Sequence, residues 1–451
     1  MALALINLNF VNLILSYLGL TFFVLFMLEN VKFIESPGGY SYLLLFLISS
    51  IIVLIIGNGL RYLRRFNYSF AFLFIFIIYF VYVYLLSSFD VDSLKQATIG
   101  TTGGILFSFL CGLFCSLLIA NIYQISWQNY SLSKLSFILY LFLLAIMVLN
   151  AREAFSLYLS DVRKDVFLIS SQFGNYQRPA AFMFMTFMVA VSLAAMHLSL
   201  PKSLGRFSLL ICTCLLGVLS YQFMMLSQLI GSNSGMVTVF GFLIVYLTLL
   251  SILRFFNRDL DDIEVFRLSF LIFSKVGLKY VIYLPLILFL VFWGVLYFVS
   301  KQNIDFDSLR IFGYGSNVSS IETRLALLNN FILHFSYNPL FGNMIVEKLT
   351  TGDGTYIHSL FALLPHLGIV GTILFLIFLK YVFNAFKSAK LNPSGSYCVY
   401  LNKYYVVYRV LGMTSVIIFC TFSAFFTWLP LWYACGLFGM SFIDGEKLRY
   451  E

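Results

Sequence analysis

The chain returns again and again to long apolar stretches without a charged residue. Phe70 to Leu86 reads FAFLFIFIIYFVYVYLL, and comparable stretches recur as far as the neighbourhood of Trp428. An α-helix of about 20 such residues crosses the ~30 Å hydrocarbon layer of a bilayer. In that layer the backbone finds no water, so only helices and closed barrels satisfy it. Apolar and polar residues do not alternate with period two over ~10-residue segments, which argues against a barrel. Composition agrees: 61% of the chain is hydrophobic and 10% charged, where a soluble domain carries roughly a quarter charged residues. The expected fold is an all-α integral membrane protein, one polytopic domain over residues 1–451 with about twelve transmembrane helices. The N-terminal apolar run, Ala2 to Leu28, has no basic start and no small-residue cleavage site. It reads as a retained helix rather than a signal peptide.

Charge sets the expected orientation. Arg61, Arg64 and Arg65 in RYLRRF, Lys202 and Arg206 in PKSLGR, the group Arg254, Arg258, Arg267 and Lys275, and Lys387, Lys390 and Lys403 lie between spans. Cytoplasmic loops collect such residues. With both termini inside, the inner loops and flanks hold most of the 28 Lys+Arg. The net charge of +9 belongs to this rule and does not call for nucleic acid. Two long loops fall on the outer, periplasmic side, residues 151–178 and residues 301–357, the second expected to contain short helices. Both are basic for that side, so their arginines call for a reason. The seven cysteines have no metal-ligand spacing; Cys111 with Cys115 and Cys212 with Cys214 sit inside apolar stretches, where cysteine behaves as a small hydrophobe. Neither a zinc site nor a disulfide framework is implied.

The polar features of the outer loops are the candidates for chemistry. Arg178 precedes Pro179 in FGNYQRPAAF, suited to the first turn of a span. A guanidinium at a helix start favours an anion, because free N–H donors and the helix dipole act in the same direction; an arginine snorkelling to lipid head groups is the competing account. Arg324 stands in SSIETRLALLNNFILHF, an amphipathic stretch, where Glu322 is not at the spacing of a helix ion pair; a solvated loop arginine competes here. His358 follows the GDGTYI loop at the mouth of a span, where a group titrating near neutrality can move a proton. Of the other histidines, His197 reads as structural, His334 as a half-buried packing residue and His366 as lining the helix bundle. Asp90 with Asp92 and Asp305 with Asp307 form two outer Asp-x-Asp pairs that could hold a divalent ion, but acidic outer loops are ordinary and no metal is assigned. The SNSG turn, Ser232 to Gly235, permits close backbone approach. Walker, HExxH and GxSxG motifs do not occur, so an internal ATPase or familiar hydrolase has no support.

Taken in order, Arg324, Leu327, the turn Asn338-Pro339-Leu340-Phe341-Gly342, His358, Leu364, Gly368-Ile369 and Gly371 form a spaced pattern. It resembles the O-antigen polymerase and O-antigen ligase superfamily of bacterial inner-membrane glycosyltransferases. The pattern covers about the second half of the chain. Gln177-Arg178 and the SNSG turn fall where that family has two further periplasmic positions. The resemblance implies attack by a sugar hydroxyl on an undecaprenyl-diphosphate-linked oligosaccharide, with undecaprenyl diphosphate leaving. Cations are needed where that leaving charge develops, and neither a cofactor nor an obligatory metal is. By carry-over, Arg178 and Arg324 clamp the diphosphate and His358 serves the acceptor hydroxyl or the leaving group. Substrate contacts are expected at Gln177, Ser232, Asn233, Arg310, Gly342 and Tyr356. Many family members have arginine where this chain has Asn233, so the carry-over at that turn is open. The implied partners are the lipid-linked donor and acceptor, membrane lipids and a chain-length regulator protein. Ligation of the glycan to lipid A core is the alternative reaction. A non-enzymatic lipid-linked oligosaccharide flippase is the alternative class, although it should carry charges within its spans, and these spans carry almost none.

Overall fold

The computed structural model describes residues 2–32, 37–56, 68–88, 92–160, 177–200, 206–230, 232–255, 329–350, 362–387 and 428–439, with short pieces between 410 and 419. Within them the chain is 93% helical and has no strands. The helices in order are α1 (Ala2–Val31), α2 (Pro37–Ile56), α3 (Tyr68–Ser88), α4 (Asp92–Gln128), α5 (Tyr130–Ser160), α6 (Gln177–Ser199), α7 (Arg206–Leu229) and α8 (Asn233–Phe255). They are followed by the short α9 (Phe331–Tyr337) and α10 (Val346–Thr350), then α11 (Leu363–Lys387) and α12 (Leu429–Gly439). Among the described residues, five helices are long and apolar enough to cross a membrane: Leu8–Val31, Gly103–Trp127, Tyr130–Leu157, Pro179–Leu198 and Leu210–Leu229. The protein is a helical, multi-pass membrane protein.

Local chemistry explains several boundaries. Pro37 opens α2, the position where a missing N–H costs nothing. A single residue, Asn129, separates α4 from α5. Its side-chain oxygen accepts from the backbone N–H groups of Ser131 (2.9 Å) and Leu132 (3.3 Å), an N-cap that starts the next helix. Lys134 therefore lies inside α5. The far end of α5 also differs from expectation: the helix continues through residues 151–160 instead of giving way to a loop at Ala151. Met147, Ala151, Ala154 and Phe155 are buried at helical spacing, so one face still packs on the bundle past the apolar stretch.

The centre of the bundle is α6. Its most apolar window is 94% buried, against 44% for that of α5, and it touches α1, α4, α5, α7, α8 and α12. Its second half, VAVSLAAM, is rich in small residues, which lets neighbouring backbones come close where lipid offers no hydrophobic drive between helices. The tightest crossing joins α4 to α12. A β-carbon on Gly112 would strike the Tyr433 carbonyl, and one on Gly436 would strike that of Phe109. Each glycine receives the other helix's backbone.

Helix order places the Gln177-Arg178 helix start at one end of the bundle. Phe26, late in α1, meets Phe182, early in α6, with ring centroids 6.2 Å apart. Phe26 also meets Phe107 of α4 at 6.2 Å, while Asn121, later in α4, bonds to Ser16 of α1 at 2.9 Å. The two helices are thus antiparallel, and the end of α1, the beginning of α4 and the beginning of α6 share one end. We refer to it as the Gln177 end.

Candidate functional site

Gln177 and Arg178 form the opening turn of α6, followed by Pro179, as the sequence predicts. The structure describes these two residues by their backbone. Two turns into the same helix, Phe184 packs against the SNSG turn: a β-carbon on Gly235 would come within 2.9 Å of the Phe184 ring and 2.7 Å of the Ser227 side chain. α6 thus meets the SNSG turn six residues beyond Arg178, although the sequence separates the two by more than fifty residues.

The SNSG turn is tightly built. Ser232 donates its N–H to the Ser227 carbonyl at 2.7 Å, and its hydroxyl accepts from the Gly235 N–H at 3.2 Å. The hydroxyl also lies 3.1 Å from that of Ser234. Ser232 is the N-cap of α8: a residue expected to meet substrate spends its buried oxygen on a helix terminus. Asn233 is the first residue of α8 and is described by its backbone.

The Asn338–Gly342 turn carries the most detailed geometry. α11 is broken at Gly368, whose φ of 63° and ψ of −172° belong to a region open essentially to glycine alone. The break frees backbone groups that a continuous helix would pair internally, and the turn supplies their partners. Ile369 donates to the Pro339 carbonyl at 2.9 Å, Val370 to the Leu340 carbonyl at 3.2 Å, and Asn343 to the Pro365 carbonyl at 3.0 Å. Gly342, itself at φ 76°, donates to Asn338 at 2.8 Å. The Tyr79 hydroxyl of α3 lies 3.1 Å from the Phe341 carbonyl and 2.9 Å from that of Leu367. Ser87, near the end of α3, accepts from the Met344 N–H at 3.0 Å. The approach is so close that a β-carbon on Gly342 would strike the His366 carbonyl, and one on Gly368 the Leu340 carbonyl.

This geometry accounts for why glycine stands at 342 and 368. It also means that the N–H groups at the start of the second half of α11 are directed at protein carbonyls. An anion held at this end of the molecule would need other donors.

Two further polar clusters are present. Lys32, just past α1, has a side chain only 4% exposed and places its ammonium 2.5 Å from Glu153, 2.9 Å from the Asn150 amide oxygen and 3.4 Å from Glu29. It ties α1 to the extended part of α5, at the Gln177 end. Deeper in the bundle the Tyr17 hydroxyl lies 3.0 Å from Ser136 and 3.1 Å from His197 Nε2. The His197 ring packs between Phe137 and Tyr140 at 5.4 and 5.3 Å. This is the structural role expected for His197. His334 is fully buried in α9, deeper than a packing residue on a loop helix need be, and His366 is buried in α11.

Arg324, His358, Arg310 and Tyr356 lie outside the described residues, as does Asp90. Of the expected site, the structure therefore places the Gln177-Arg178 helix start, the SNSG turn and Gly342. Sequence reasoning passed over Tyr79 and Ser87, the side chains that hold the turn. Tyr79 is one tyrosine in an aromatic run and offers no signal. Lys32 did offer one: it is a lone cation three residues after Glu29 in a charge-poor region. Comparison with protein-family models and with curated proteins finds no match for this chain.

Proposed function

We propose that the protein is a glycosyltransferase that polymerises undecaprenyl-diphosphate-linked oligosaccharide repeats, an O-antigen polymerase acting at the periplasmic face of the bacterial inner membrane. In this reading it has about twelve spans, both termini cytoplasmic, and the loops 151–178 and 301–357 outside. The observation that carries it is spatial: α6, whose first turn holds Gln177-Arg178, packs through Phe184 against Gly235 of the SNSG turn, far away in the chain. The same family pattern also unites Asn338–Gly342 with Gly368–Ile369, which are joined backbone to backbone. Pattern positions that meet in pairs in the folded chain support this reading.

The chemistry follows from charge. A sugar hydroxyl attacks the anomeric carbon of the donor, the glycosyl–oxygen bond breaks, and the diphosphate departs with the bonding electrons. Arg178 at the start of α6, with Arg324, stabilises that growing charge, adding a bidentate cation to a helix terminus that already favours anions. His358 takes the proton of the attacking hydroxyl or balances charge at the leaving group. Gly342 and Ser232 act by shaping the walls, in keeping with the hydrogen bonds they make.

The test is the lipopolysaccharide profile of cells lacking the gene and complemented with Arg178→Ala, Arg324→Ala or His358→Ala at equal membrane levels. Collapse of the O-antigen ladder to core plus one repeat is the expected result. Loss of all attached O-antigen would assign ligation to lipid A core instead. Full ladders from all three variants would refute the site.

A further inference from the structure

We infer that the segment from Phe331 to Phe341 is embedded in lipid within one leaflet of the bilayer as a re-entrant element, and is not a loop in water. The inference does not depend on the reaction proposed above. It begins from exposure: Ile332 is 75% exposed, Leu333 51%, Tyr337 54%, Leu340 50% and Phe341 42%. From Asn329 to Ile345 the sequence contains no Asp, Glu, Lys or Arg. A surface this apolar and this free of charge does not suit water, and offers no ionic complement to a soluble partner.

Position identifies the occupant. The turn is held to α3 at two places, by Tyr79 through the Phe341 carbonyl and by Ser87 through the Met344 N–H. These residues lie about 12 Å apart along the helix. The turn thus runs down the flank of the apolar stretch Ile75–Ser87 and does not rest on its end. On α11, directly beside it, Ile369, Ile373 and Leu376 are exposed at helical spacing, as are Ile75, Ile78 and Tyr82 on α3. The exposed Leu340 and Phe341 continue these two outward-facing stripes, which in a membrane protein face acyl chains.

The backbone is prepared for the same surroundings. Irregular chain at membrane depth is tolerated only where its polar groups find partners in the protein. Here the carbonyls of Asn338, Pro339 and Leu340 accept from Gly342 N–H, Ile369 N–H and Val370 N–H respectively, and that of Phe341 shares the Tyr79 hydroxyl with Leu367. A water-exposed turn would gain little from that complete pairing, whereas a turn in lipid requires it. His334, the histidine of the segment, is fully buried away from this surface. The remaining tyrosine and asparagines suit an interfacial depth.

The test places a reporter on the exposed face of the full-length protein, reconstituted in pure phosphatidylcholine vesicles. Ile332→Trp adds one tryptophan to the native four, with Leu333→Trp as a second variant should the first fail to fold. Quenching by lipids brominated near the head-group end of their acyl chains is compared with quenching by aqueous acrylamide. The expected result is that about one-fifth of the emission, the added residue's share, becomes lipid-quenchable beyond the native baseline, with no gain in acrylamide quenching. A gain in acrylamide quenching would overturn the inference by placing the segment in water. Quenching by neither agent would overturn it too, by showing the face covered by protein.

Discussion

Replacing Gly368 with alanine tests the junction between the Asn338–Gly342 turn and α11. The glycine sits at φ 63° and ψ −172°, and holding a residue with a β-carbon there costs about 1–3 kcal/mol. The new methyl would also strike the Leu340 carbonyl and crowd the Gly342 nitrogen, so the turn must withdraw. Withdrawal breaks the bonds from Ile369 to Pro339 and from Val370 to Leu340, each contributing about 0.5–1.5 kcal/mol. Together the loss is about 2–6 kcal/mol, a large fraction of the ~5–15 kcal/mol that holds a typical fold. Gly217 is the matched control, since a β-carbon there meets nothing within 4 Å; Gly217→Ala in mid-helix should be neutral or stabilising by up to ~1 kcal/mol. Thermal unfolding of the purified protein, followed by tryptophan emission, separates the two. Gly368→Ala should melt several degrees below the native protein and Gly217→Ala at or above it. Equal melting of the Gly368 and Gly217 variants would refute the argument that this junction needs glycine.

Four smaller tests accompany it. Tyr79→Phe removes the hydroxyl that serves the Phe341 and Leu367 carbonyls; it should cost about 1–3 kcal/mol in the same melting assay, while Tyr82→Phe, on the exposed face, should not. Ser232→Ala deletes the α8 N-cap and should lower stability by about 1 kcal/mol, with Ser232→Asn restoring most of it. Lys32→Met should destabilise by about 1–2 kcal/mol: breaking a buried pair costs more, but Glu153 is 57% exposed and recovers solvation. A double-mutant cycle with Glu153→Gln should show coupling. Gly436→Leu wedges a side chain against the α4 backbone at Phe109; loss of the monodisperse peak on size exclusion, with Gly103→Leu unaffected, is the expected contrast.

The class of the fold was plain in the sequence because a bilayer imposes one dominant requirement, long uncharged runs, and these are visible without any pairing information. Boundaries were less plain. α5 outlasts its apolar run because Ala151, Ala154 and Phe155 keep a buried face and Glu153 finds Lys32, a partner more than a hundred residues away. The candidate positions divide in the same way. Arg178 at a helix start could be placed from Pro179 alone, a local signal. Gly342 and Gly368 stand in the spaced pattern, but their use is to accept each other's backbone, a relation no single-chain pattern reveals. The resemblance implies a substrate contact at Ser232, although a serine before a helix has a simpler occupation as its cap. Tyr79 could not have been found, because one hydroxyl among many aromatic residues acquires meaning only when two carbonyls arrive from another helix.

The crossing of Gly112 with Gly436 has a consequence for how the protein is made. α4 leaves the ribosome roughly 300 residues before α12, which at about 5–20 residues per second is an interval of some 15–60 s. Throughout it, α4 offers the bilayer a groove that reaches its own backbone, shaped for a helix that does not yet exist. A ribosome stalled shortly before α12 would therefore release a membrane-inserted chain open at its middle, not one frayed at its edge. Such a chain is a natural substrate for membrane proteases, so late truncations should reduce cellular abundance as severely as early ones.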